Sequence, residues 1–103
     1  MRTLVIPPAA QRDENSIQMI SGWIAEGGLH TTLNIGMWQD AGRNEPRAWG
    51  VFLADVVRHI SNAIQDHTGA STETTSATIL AALDKELNNP TSNTSGTFHP
   101  GHS

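Results

Sequence analysis

Apolar residues recur along this chain at two spacings. In the stretch that follows Asp13, Ile17, Ile20, Trp23 and Ile24 lie at i, i+3, i+6 and i+7, one face of a helix. Asp13, Asn15 and Ser16 offer N-caps for that helix, and Gly27-Gly28 ends it. From Leu29 the period becomes two. Leu29, Thr31, Leu33, Ile35 and Met37 share one side, while His30, Thr32, Asn34, Gly36 and Trp38 share the other, so residues 29–38 read as a strand. Gly36 reads as a bulge that turns Trp38 inward. Upstream, Thr3 to Ile6 is a short apolar run stopped by Pro7-Pro8, which suits a short N-terminal strand.

The strongest pattern comes later. At 100° per residue, Arg47 to His67 places Trp49, Phe52, Leu53, Val56, Val57, Ile60, Ala63 and Ile64 in one arc of roughly 140°, the apolar face of a long central helix that starts near Pro46. Gly50, Ala54 and Ser61 form a small-residue flank that admits a close-packed backbone. Ile79, Leu80, Leu83 and Leu87 outline a weaker helix over 74–87, stopped by Asn88-Asn89-Pro90.

These elements imply an α+β fold: a short N-terminal strand, a helix, a longer strand, a long central helix and a weaker C-terminal helix. The 22 residues from 7 to 28 are long enough to join the first two strands by a right-handed parallel crossover. After His67 the chain turns to Thr, Ser, Asn, Gly and Pro, and all three tryptophans precede that point. The expected organisation is a compact domain over 1–67, a polar linker and C-terminal helix over 68–90, and a flexible tail over 91–103.

Composition then narrows the classes of function. With no cysteine there is no disulfide, thiolate metal site or cysteine nucleophile. The net charge is −4 and the six cations are scattered, so neither nucleic acid nor a membrane is an expected partner. No apolar run approaches a membrane span, and the first residues lack a secretory h-region. The expected location is cytoplasmic. At 103 residues the chain hides only roughly 60–65% of the surface its unfolded form exposes. A core that thin, and a two-stranded sheet, call for a partner, so a homodimer is expected, with a further protein partner in keeping with an interaction role.

Gly22-Trp23-Ile24-Ala25, Gly28-Leu29-His30 through Trp38, and Ala48-Trp49-Gly50 through Leu53-Ala54-Asp55-Val56-Val57-Arg58-His59 resemble a small bacterial family, mostly proteobacterial, known as a domain of unknown function. The resemblance covers about residues 4–67 and includes Ile6-Pro7-Pro8-Ala9. It implies a self-contained domain and supplies no catalytic residue; the segment after His67 departs from the pattern.

Three sets of residues carry candidate chemistry. Asp55 and His59, four apart on one helix face, suit a carboxylate-oriented imidazole, against an ordinary surface pairing of Asp55 with Arg58. His30, on the polar side of the strand, would complete a two-His, one-carboxylate set suited to zinc or non-haem iron if that side met the helix flank. Trp38, off the apolar face, marks a ligand or dimer surface if exposed. Neither His99 nor His102 in the tail adds a site, and no phosphate loop, nucleophile elbow or resident cofactor or metal is expected. The leading expectation is a non-enzymatic interaction or regulatory module acting as a homodimer. The alternatives are a small metal-assisted or acid/base enzyme using His30, Asp55 and His59, and a small-ligand binder using Trp38. Gly50, Ala54 and Ser61 join Trp38 as expected interface or ligand residues.

Overall fold

Residues 1–91 and 95–100 are described by a computed structural model. The elements run α1 (Pro8–Arg12), β1 (Ile20–Ala25), β2 (Gly28–Asn34), α2 (Met37–Asp40), α3 (Glu45–Thr68), α4 (Thr72–Asn88) and β3 (Ser95–His99). The fold is α+β, as the sequence implies, but its first third is built differently.

The helix expected before Gly27-Gly28 is a β-hairpin. β1 pairs antiparallel with β2 from Ile20↔Leu33 to Ala25↔Gly28, which leaves Glu26 and Gly27 as a two-residue loop. Both have positive φ, 51° and 79°, the requirement of the type I′ turn whose twist matches the flanking strands. The isoleucines that satisfied helical spacing are β-branched and flank Gly22, a combination that favours extended chain. The first two strands are therefore not a parallel crossover pair.

The parallel pair is β2 with β3, from His30↔Ser95 to Asn34↔His99, in a sheet of order β1-β2-β3. β3 lies where a flexible tail was expected; the rest of that tail, residues 92–94 and 101–103 with His102, lies outside the described residues. Gly96 makes β3 possible. It faces Thr31 with φ 131°, and a Cβ there would run into the Thr31 backbone.

Residues 3–6 form no strand. Leu4, Val5 and Ile6 are exposed, and the Gln11 side chain donates to the Ile6 carbonyl at 2.7 Å. β2 also stops short of Trp38, because Gly36 adopts φ 102° and opens α2 instead of forming a bulge.

The two long helices follow the sequence closely. The Asn44 side chain accepts the Arg47 N–H and caps α3, Pro46 sits in its first turn, and Gly69 at φ 80° closes it. Ser71 caps α4 through the Thr74 N–H. At the far end of α4 the Glu86 carboxylate accepts both the N–H and the hydroxyl of Thr91, at 2.9 and 2.8 Å. Those two bonds hold the Glu86 carboxyl below its ordinary pKa.

Two compact units result. One holds the chain up to Ile35 together with the strand from Ser95; the other begins at Gly36 and contains α2, α3 and α4. The segment after His67 thus shares a unit with α3. In the sheet unit, residues paired across strands point to the same side. Ile20, Ile24, Leu29, Leu33 and Phe98 therefore line one face, and Ser21, Trp23, His30, Thr32 and Asn34 the other. In the helical unit, α3 and α4 meet at Ser61, which is 1% exposed. Its hydroxyl donates to the Val57 carbonyl at 2.9 Å and lies 3.1 Å from Ser76 Oγ. Among the described residues no hydrophobic side chain is fully buried.

Candidate functional site

Turning inward from the first turn of α3, Glu45 is only 8% exposed. Its Oε1 accepts the Gln39 N–H and its Oε2 accepts the Gly36 N–H and the Trp49 indole N–H, each at 3.0 Å. Gly36 and Gln39 carry free N–H groups at the start of α2, so a carboxylate from the next helix caps them. The Gly36 bond foremost, with those from Gln39, Trp49 and Trp38, holds the carboxyl below its ordinary value of 4.5, against the opposing effect of burial.

This tie fixes an aromatic cluster. Trp38 meets Trp49 edge to face at 5.3 Å between centroids, Trp49 meets Phe52 likewise at 5.3 Å, and Trp38 lies 6.3 Å from Phe52 at 58°. Beside the cluster runs a groove of about 540 Å³ lined by Trp38, Arg43, Asn44, Arg47, Ala48, Val51 and Phe52. Neither guanidinium has an ion-pair or side-chain hydrogen-bond partner among the described residues, whereas Arg58 pairs with Asp55. The arrangement joins two forked cations to aromatic and aliphatic walls, a composition suited to an organic anion.

Trp38 is thus half-buried at a groove. Gly50 and Ala54 are exposed, with open space where a Gly50 Cβ would point, whereas Ser61 is occupied by α4. His30 is half-buried on β2 between Trp23 and Ser95, in the sheet unit. Asp55 and His59 lie in the helical unit, and Asp55 Oδ1 meets Arg58 at 3.1 Å, both side chains well exposed. Among the described residues no three His, Cys, Asp or Glu side chains are grouped to hold a metal. No helix there is long and apolar enough to cross a membrane.

The sequence pattern gave no weight to Glu45, Arg43 or Arg47. The legible clue was the spacing of Arg43 and Arg47, four apart across a capped helix start, which puts both at one end of α3. Glu45 left only its i, i+4 spacing to Trp49 as a clue, because its other partners are backbone groups of an element whose start depends on the conformation of Gly36.

The model of the family described as a domain of unknown function, DUF5076, matches residues 3–91, beyond the 4–67 of the sequence resemblance and through all of α4. A solved structure from the photosynthetic bacterium Rhodopseudomonas palustrus, provisionally described as a pyruvate dehydrogenase, shares the fold with a TM-score of 0.66. That similarity covers 90% of each chain at 20% identity. No curated protein matches the chain. With the family model spanning most of its length, this chain belongs to the DUF5076 family.

Proposed function

We propose that this protein is a homodimeric interaction module, in which a second copy covers apolar faces that one copy leaves in water. The observation that carries the reading is the absence of any fully buried hydrophobic side chain among the described residues, beside sixteen large hydrophobic residues that are exposed.

Two faces suit such a partner. The sheet's apolar side exposes Ile24, Leu29 and Phe98, and α3 exposes Leu53, Val56 and Ile60 at the 3-4 spacing of a helix-packing seam. Gly50 and Ala54 let a partner backbone approach α3 closely. A catalytic role for His30, Asp55 and His59 gains no support from Asp55, whose carboxylate is engaged by Arg58.

The test is size-exclusion chromatography with light scattering on Ile60→Glu and on Gln65→Glu, which lies on the same helix outside the seam. Ile60→Glu should elute as a monomer and Gln65→Glu as a dimer. Dimers from both variants, or a monomeric parent protein, would overturn the proposal.

A further inference from the structure

We infer that the groove at the start of α3 is a binding site for a flat organic anion, an aromatic carboxylate held by Arg43 and Arg47 with its ring against Trp38 and Phe52. The chain has ten acidic residues and six basic ones, so a guanidinium has ample carboxylates to pair with. Arg58 is paired with Asp55, while Arg43 and Arg47, without a partner among the described residues, stand apart from the other cations in lining one groove beside Trp38 and Phe52.

The nearest helix carboxylate in sequence, Glu45, sits between them in the chain and is turned away to α2 and Trp49. Its hydrogen bonds are all directed to α2 and Trp49, so it leaves the guanidinium forks open. The same bonds fix α2 against α3 before any ligand arrives, which spares the ligand the cost of ordering the wall. Arginine takes a carboxylate in a bidentate fork, and an indole or phenyl wall suits a planar ring. A volume of about 540 Å³ falls in the range of small-molecule sites and accommodates one bicyclic ring system. Inorganic anions would use the arginines and leave the aromatic wall idle. This inference does not depend on the homodimer, since every residue it uses comes from one helical unit.

Isothermal titration calorimetry of the full chain tests it, with 2-naphthoate, cyclohexanecarboxylate and inorganic phosphate as probes. By the affinity that small ligands achieve per atom, 2-naphthoate should bind with a Kd of about 1 mM or tighter. Arg43→Gln and Arg47→Gln, both at exposed positions, should each weaken it about tenfold. The non-planar ring and phosphate should bind more weakly than 2-naphthoate to the parent protein. Trp38→Phe keeps an aromatic wall and should retain binding where Trp38→Leu loses it; if Trp38→Leu does not fold, the arginine variants and the probe order decide. The inference is overturned if 2-naphthoate fails to bind, if its affinity is indifferent to both arginines, or if phosphate binds as tightly.

Discussion

The hairpin turn gives a prediction whose sign separates two structures for the same residues. Glu26 is a non-glycine residue at φ 51°, a backbone conformation in which Asn is several-fold enriched over ordinary residues. A several-fold preference corresponds to about 0.6–1 kcal/mol, and Asn-Gly is the favoured pair for a type I′ turn. Glu26→Asn removes no contact, because the Glu26 carboxylate has no partner among the described residues. It should therefore stabilise the protein by that amount and raise Tm by roughly 3–6 °C. Gly27→Val should do the opposite, since a β-branched residue at φ 79° costs about 1–3 kcal/mol. Thermal unfolding followed by circular dichroism, at one protein concentration for all variants, reads both. Were residues 16–26 helical, Asn would replace a better helix former and lower Tm. An unchanged or lower Tm for Glu26→Asn would refute the hairpin.

Two further predictions concern the Glu45 tie and the third strand. Because the folded Glu45 pKa lies below 4.5, its stabilising effect is fully present above pH 4.5 and fades as pH falls through the lowered value. Glu45→Gln should remove part of the acid-side slope in tryptophan fluorescence and loosen the Trp38–Trp49 contact at neutral pH; Glu86, shifted in the same direction, retains the remainder. Gly96→Ala should detach β3 from β2, and hydrogen exchange should then quicken at the Ile35 amide, which donates to the His99 carbonyl at 2.8 Å.

What was legible in the sequence followed from how local each determinant is. Pro46 marks the start of α3, Asn88-Asn89-Pro90 the end of α4, and each helix shows its apolar spacing within a few turns, so both could be read from neighbouring residues. The hairpin was missed because Ile17, Ile20, Trp23 and Ile24 satisfy a helical spacing, while strand formation rests on β-branching, Gly22 and a turn with Glu at its first position. β3 was missed because Ser-Gly-Thr-Phe-His carries little apolar pattern, and its order comes from pairing with β2, more than sixty residues away in the chain. The candidate site divided along the same line. Trp38 stood out by its place off the apolar face, and the pairing of Asp55 with Arg58 follows from helical spacing. Of the Glu45 tie only the i, i+4 spacing to Trp49 lay in the sequence, since the rest joins a side chain to backbone groups exposed by the left-handed Gly36. Arg43 and Arg47 were visible as charges, but a groove between them requires Trp38 and Phe52 to stand beside them.

The central claim is that one copy of this chain does not cover its own apolar faces. Sedimentation equilibrium of the unmodified protein tests it most directly, over roughly 1–100 µM at physiological salt, because mass then reports assembly independently of shape. The account predicts a single species of twice the chain mass of 11.1 kDa. A species of 11.1 kDa across the whole range, with cooperative unfolding, would contradict it.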